Sequence, residues 1–119
     1  MNNIVVVSQA QGRVPVTVLQ LQDRVNLGNT SELEQAARQA FSAGARDMVM
    51  DLSKAPSITS AGIRVMMIIH NLLSNNGKDK TRHLKLVSPT DYVRDVLDVT
   101  GLLDYLEVFP SLDLAVASF

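Results

Sequence analysis

The sequence predicts an α/β protein in which helices pack on a mixed sheet of about five strands. Apolar or β-branched runs alternate with segments of helical periodicity, in the order β-β-α-β-α-β-α-β-α. Strands separated by helices favour parallel pairing through right-handed crossovers, whereas the first two strands follow each other directly. We therefore expect an antiparallel first pair, parallel strands after it, and one domain over residues 1–119.

The first third of the chain combines strand, loop and helix signals. Its predicted elements are strands at Ile4 to Val7 and Val14 to Leu21, a polar loop from Asp23 to Asn29, and a helix from Thr30. In that helix, Ser31 and Glu34 have the spacing of a capping box. Gly44 is a plausible C-cap, because glycine tolerates the left-handed backbone that often ends a helix.

The rest of the chain alternates strands with helices. Its predicted elements are a strand at Met48 to Leu52, a helix from Ser60 to about Asn75, a strand at Leu84 to Val87, a helix opened by Ser88 to Asp91, a strand at Leu106 to Phe109, and a closing helix over Pro110 to Phe119. The run from Met48 is largely apolar, as expected for a central strand covered on both faces. Pro89 suits the first helical position, where its missing N–H is not needed.

Composition excludes several classes of function. The 11 basic and 12 acidic residues give a net charge of about −1 and are dispersed, which argues against nucleic acid and anionic membrane as partners. The longest apolar stretch is far too short to span a membrane. The absence of cysteine removes disulfides and thiolate chemistry and fits a cytoplasmic, soluble protein.

No motif for catalysis or cofactor binding is present. The chain has no P-loop, no G-x-G-x-x-G and no G-x-S-x-G turn. His70 and His83 share no local spacing with a carboxylate cluster, so no metal site is predicted. We therefore expect a protein that is not an enzyme and that holds no cofactor, with no catalytic and no metal-binding residues.

The most informative segment is Thr59-Ser60-Ala61-Gly62, which follows a polar turn and leads into a strongly apolar helix. A serine at or just before a helix N-terminus lies where unpaired N–H groups and the helix dipole favour negative charge. A phosphate on Ser60 would therefore lie in a favourable field. Alternatively, Thr59 or Ser60 is only an N-cap. Gly62 either allows helix packing or marks the close approach of a partner.

Several segments of the chain resemble the STAS domain, named for sulfate transporters and anti-sigma factor antagonists. They are Asp51-Leu52-Ser53 with Ile58 to Ile63, Leu84 to Val87, Val93 to Leu97, and Thr100 to Leu103. The resemblance spans essentially the whole chain, and its size is similar to that of the free-standing bacterial antagonists. It implies a STAS-like fold and identifies Ser60, two residues before Gly62, with the serine that an anti-sigma factor serine kinase phosphorylates.

The resemblance also implies a function. An unmodified antagonist binds the kinase and frees its sigma factor, phosphorylation ends the binding, and a PP2C-type phosphatase restores it. The implied partner-binding residues are Asn26, Thr59, Ser60, Ala61, Gly62, Ile63 and Arg64. Thr59 and Asn26 stand where the family commonly has aspartates. These departures motivate an alternative, a constitutive scaffold or assembly subunit, stressosome-like or transporter-associated, without phosphorylation control.

Overall fold

The computed structural model describes residues 4–75, 78 and 83–119, which contain a five-stranded sheet. The strands are β1 (Val5–Gln11), β2 (Pro15–Leu21), β3 (Met48–Asp51), β4 (Leu84–Val87) and β5 (Glu107–Phe109). They lie in chain order across the sheet. β1 pairs with β2 antiparallel, and every later pair is parallel. The predicted fold class, including the antiparallel first pair, is confirmed.

Helices pack on both faces of the sheet, but unequally. They are α1 (Thr30–Ser42), α2 (Ser60–Leu73), α3 (Asp91–Val99) and α4 (Leu112–Ala117), with a short 3₁₀ helix at Leu102–Asp104. The first three share the larger apolar core, whereas α4 covers a smaller cluster on the opposite face. The alternation of strand side chains produces this division, since Met48 and Met50 belong to the large core and Val49 belongs to the small one.

The central position of β3 explains its sequence. Met48, Val49 and Met50 are all fully buried, because helices cover both faces of the strand and parallel neighbours flank it. The prediction of a central strand is confirmed. The carboxyl end of β3 leads through residues 52–59 into α2, and that connection forms part of the candidate site.

The predicted start of α1 at Thr30 and the position of Asp91 in the first turn of α3 are confirmed, but the predicted capping box and the predicted position of Pro89 are wrong. α1 begins at Thr30 with Asn29 as its N-cap, so Ser31 is already helical and forms no capping box; Glu34 instead accepts a hydrogen bond from Arg38 at 2.9 Å. α3 begins after Thr90, whose Oγ1 accepts from the Val93 N–H at 3.3 Å. Pro89 therefore precedes the cap, because the threonine side chain satisfies one of the first N–H groups of the helix.

The ends of three helices are also informative. Gly44 follows the C-cap of α1 and has a φ of +109°, the conformation expected of a terminating glycine. α2 ends at Leu73, and the remainder of its predicted ending at Asn76 and Gly77 lies outside the described residues. α4 is shorter than predicted, since Ser111 caps it by accepting from the Leu114 N–H.

A buried lysine attaches α4 to the sheet. Lys85 on β4 is only 5% exposed. Its Nζ donates to the backbone oxygen of Ser118 at 3.1 Å and to the Ser118 hydroxyl at 2.8 Å, and it lies 4.2 Å from the centre of the Phe119 ring. The ammonium group therefore meets the carboxyl end of α4, where helix carbonyls and the dipole favour a positive charge.

Candidate functional site

The candidate site lies at the carboxyl edge of the parallel strands, where the loops that follow β2 and β3 meet. The two loops are joined by an isolated parallel bridge between Val25 and Ile58. The Val25 N–H donates to the Ser57 oxygen at 3.2 Å, and the Thr59 N–H donates to the Val25 oxygen at 3.1 Å. This register places Asn26 beside Thr59. We call residues 24–29 and 57–64 together the two-loop surface.

Ser60 is the first residue of α2, and its side chain is exposed. Thr59 is the N-cap in an extended backbone conformation, but its side chain makes no capping hydrogen bond. The first intrahelical bond runs from the Ile63 N–H to the Thr59 oxygen at 3.1 Å. The N–H groups of residues 60–62 therefore precede the hydrogen-bonded part of the helix, which is where negative charge is best tolerated. The interpretation of Ser60 itself as the N-cap is wrong.

Gly62 lies beneath this surface and is buried. A Cβ atom added at Gly62 would lie 2.6 Å from Cγ1 of Ile58 and 2.8 Å from Cγ1 of Val25. The glycine therefore lets the first turn of α2 pack directly against both loops. This is the packing alternative for Gly62, and a direct contact between Gly62 and a partner stays a prediction.

Asparagine side chains fix the shape of the loop that contains Asn26. Asn26 Oδ1 accepts from the Gly28 N–H at 2.8 Å, and Asn29 Oδ1 accepts from the Asn26 N–H at 3.0 Å. Asn29 Nδ2 donates to the Arg24 oxygen at 2.8 Å. An aspartate at position 26 would offer the same acceptor, so Asn26 keeps this structural role and lacks only the negative charge.

The other predicted partner-binding residues lie along the first turns of α2. Arg64, one turn after Ser60, is exposed. Ala61 is half-buried, and Ile63 is half-buried and packs partly against the large core. The structure therefore brings all seven predicted residues to one edge of the molecule, with their exposure concentrated at Thr59, Ser60 and Arg64.

Sequence reasoning missed one residue of this surface. Leu27 is 82% exposed at the tip of the loop, between Asn26 and Gly28. Its neighbours give the only local signal, because Asn-Leu-Gly-Asn is a turn-forming sequence that leaves a side chain at its tip no core to enter. A polar loop prediction alone does not distinguish such a residue from one that folds back onto the core.

Neither histidine of the chain lies near the Ser60 hydroxyl. His83 Nδ1 lies 2.7 Å from Asp47 Oδ1, at the opposite edge of the sheet, where β3 and β4 begin. His70 is ten residues further along α2, which corresponds to about 15 Å along a helix. Within residues 4–75, 78 and 83–119 no group of three or more acidic or histidine side chains could hold a metal ion. The Ser60 hydroxyl is therefore exposed to solvent, and neither histidine of the chain is placed to act as a base toward it.

In the described parts of the chain, no helix has the length and apolar character needed to cross a membrane. The profile of the STAS domain matches residues 7–115, which is nearly the whole chain. The chain belongs to the STAS domain family. The resemblance inferred from the motifs is therefore confirmed.

This STAS chain is similar to proteins described as anti-sigma factor antagonists. It is 31% identical over 99 residues to the "Putative anti-sigma factor antagonist BtrV" of Bordetella bronchiseptica, covering 83% of this chain and 82% of that protein. It superposes on an anti-sigma factor antagonist from Mycobacterium paratuberculosis with a TM-score of 0.81 and 23% identity, over 96% of this chain and 91% of the other.

A more distant likeness supports the same fold. The phosphorylated form of the Bacillus cell fate determinant SpoIIAA superposes with a TM-score of 0.67 and 12% identity, over 92% of this chain and 95% of that one. At this identity the similarity establishes the fold alone. The roles of individual residues on the two-loop surface stay predictions.

Proposed function

We propose that this STAS chain is an anti-sigma factor antagonist that acts in a partner switch. In this proposal it binds an anti-sigma factor serine kinase when Ser60 is unmodified and releases the kinase when Ser60 is phosphorylated. The observation that carries the proposal is the exposed Ser60 hydroxyl at the first turn of α2, on a surface built from two joined loops. The similarity to anti-sigma factor antagonists supports the choice of partner.

The position of Ser60 makes phosphorylation compatible with the fold. A phosphoserine carries roughly −1.5 to −2 charge, which the N-terminus of α2 tolerates while the protein is free. In a complex the same charge must leave water. An unpaired interfacial charge costs roughly 2–5 kcal/mol, which corresponds to an affinity loss of about 30- to 3000-fold.

The charge of the two-loop surface supports this electrostatic mechanism. The surface contains two exposed arginines, Arg24 and Arg64, and borders one exposed acid, Asp23, whose Oδ1 accepts from the Arg24 N–H at 2.7 Å. Because these three side chains together carry one net positive charge, a phosphate of roughly −1.5 to −2 on Ser60 would reverse the sign of the local charge. A kinase surface that complements the unmodified protein would meet a changed potential after phosphorylation. A PP2C-type phosphatase would then be the enzyme that restores the binding form.

The alternative is a constitutive STAS scaffold or assembly subunit, which would use the same surface without phosphorylation control. It is motivated by Thr59 and Asn26, which stand where the family resemblance leads us to expect aspartates. Asn26 retains its acceptor role within the loop, so the fold of the surface does not depend on the missing charge. The two functions differ in how a negative charge at position 60 affects binding.

The test is affinity capture from lysate of the native host, with wild type, Ser60→Ala and Ser60→Asp as baits and identification by mass spectrometry. We expect a serine kinase of the anti-sigma type to be retained by wild type and Ser60→Ala and lost by Ser60→Asp. Ser42→Asp is the matched control, since Ser42 is exposed at the far end of α1. Equal retention by every bait would reject the switch and favour the scaffold.

A phosphorylation assay with the purified kinase tests the site assignment separately. Incubation with ATP should add one phosphate to wild type and none to Ser60→Ala, as measured by intact mass. Incorporation into Ser60→Ala would place the modified residue elsewhere.

A further inference from the structure

Leu27 is the most exposed large apolar side chain of the two-loop surface. The residue is 82% exposed, and it lies at the tip of the loop between β2 and α1. Isolated exposed leucines are common on proteins and have no meaning by themselves. The surroundings of Leu27 distinguish it, because hydrogen bonds fix the loop that carries it and a bridge joins that loop to the segment before Ser60.

The loop holds Leu27 in a defined place. Four hydrogen bonds close the turn around it: Gly28 N–H to Asn26 Oδ1, Asn26 N–H to Asn29 Oδ1, Asn29 N–H to the Asn26 oxygen, and Asn29 Nδ2 to the Arg24 oxygen. A side chain on an already ordered loop loses less conformational entropy on binding than one on a loop that must become ordered. The ordered loop therefore holds Leu27 in a fixed, solvent-exposed position.

The same loop is fixed to the start of α2. Val25, two residues before Leu27, accepts a hydrogen bond from the Thr59 N–H, and its side chain packs where Gly62 leaves room. A partner that covers Ser60 therefore meets the loop tip as part of one continuous surface. Because the two loops are joined in this way, we take the occupant of the Leu27 position to be the same partner that contacts Ser60.

We propose that Leu27 inserts into an apolar pocket of the anti-sigma factor kinase and contributes affinity that does not depend on phosphorylation. This inference rests on the proposed function. Leu27 then lowers the Kd for the kinase by the same factor whether or not Ser60 is phosphorylated. Ser60 determines the ratio between the Kd values of the phosphorylated and the unmodified protein. Buried apolar anchors commonly dominate the energetics of such interfaces, with polar groups around them.

The experiment measures Kd by calorimetric titration with the purified kinase retained by wild type. Removing a leucine side chain from an apolar pocket should raise Kd at least tenfold for Leu27→Ala. Leu27→Met, which keeps volume and apolar character, should stay within about threefold of wild type. Val99→Ala is the matched control, because Val99 is 86% exposed on α3, outside the two-loop surface, and should leave Kd unchanged.

A second arm tests independence from phosphorylation. The ratio of Kd values between the Ser60→Asp form and the Ser60 form should be the same in the wild-type background and in the Leu27→Ala background, within about threefold. The thermal midpoint of unfolding should be unchanged in Leu27→Ala, since the exposed Leu27 side chain makes few packing contacts within the protein.

The outcomes separate this inference from the proposed function. A Kd for Leu27→Ala equal to that for Val99→Ala would overturn the inference, even if Ser60→Asp still abolished binding. An equal Kd for wild type and Ser60→Asp would reject the switch itself. Loss of binding in Leu27→Met as severe as in Leu27→Ala would also overturn the apolar pocket, because the two differ in the apolar volume they supply.

Discussion

Replacing Gly62 with alanine tests whether the two-loop surface depends on close packing. The added Cβ would lie 2.6 Å from Ile58 Cγ1 and 2.8 Å from Val25 Cγ1, well inside van der Waals contact. Both atoms branch directly from Cβ of their residues, and both residues are buried, so neither can rotate away cheaply. Relief of the overlap requires the loops to move away from α2.

Two opposing effects decide the size of the change. Overpacking in a well-packed site costs about 1–3 kcal/mol. Alanine in place of glycine within a helix contributes at most about 1 kcal/mol of stability in the other direction. We therefore expect a net loss of about 1–2 kcal/mol in the free energy of unfolding, or a decrease of roughly 3–10 °C in the thermal midpoint for a chain of this length.

Urea denaturation of wild type, Gly62→Ala, Val25→Ala and the double variant measures this loss. The midpoint should fall for Gly62→Ala without a change in slope. Because Val25→Ala removes one of the overlapping atoms, Gly62→Ala should cost less in that background than in wild type. Unchanged stability of Gly62→Ala would refute the packing argument. If kinase binding were nevertheless lost, Gly62 would instead be the point where a partner approaches closely.

Three further substitutions test individual contacts. Ser60→Ala should change the free energy of unfolding by less than about 0.5 kcal/mol in urea, because Ser60 is exposed and is not the N-cap; a loss of about 1 kcal/mol or more would contradict this. Thr90→Ala should cost about 1 kcal/mol by thermal denaturation, since its hydroxyl accepts from Val93 N–H, and no loss would show that the cap is energetically unimportant. Lys85→Met should speed amide hydrogen exchange across residues 112–117, because α4 loses its two bonds at Ser118; unchanged exchange would mean that apolar packing alone holds α4.

The strands could be predicted from the sequence because runs of apolar and β-branched residues mark the buried segments locally. Met48 to Met50 are apolar on both faces, and this pattern has few interpretations other than a central strand. The capping residues of the helices were less predictable than their starts. Asn29, Thr30 and Ser31 are all competent caps, and the choice among them depends on which side chain the preceding loop already uses.

Only some features of the candidate site could be predicted from the sequence. The position of Ser60 at a helix start follows from its immediate sequence, and its proximity to Asn26 was implied by the family resemblance. The burial of Gly62 depends on Val25, which is distant in the chain and arrives through a single bridge between loops. The exposure of Leu27 could not be predicted, because apolar residues are usually assigned to the core.

The joined construction of the two-loop surface also predicts how phosphorylation acts. The Thr59 N–H bond to Val25 and the packing at Gly62 hold the loop and the start of α2 as one unit. Ser60 is exposed above that unit, so a phosphate on it meets solvent and the helix N-terminus rather than a packed neighbour. In the proposed switch, we therefore expect release of the partner to follow from charge and desolvation, without a change of conformation.

NMR spectra of the unmodified and phosphorylated protein can test this mechanism. Amide shifts should change within residues 24–29 and 57–64 and remain constant across β1 and α4, and hydrogen exchange in the sheet should be the same in both forms. Shifts that spread through the sheet, or a loss of protection in β3, would show that phosphorylation acts by rearranging the fold. In that case the two-loop surface would transmit a conformational signal, and substitutions beneath it, such as Val25→Ala, should alter the response to phosphorylation more than substitutions at Arg24 or Arg64.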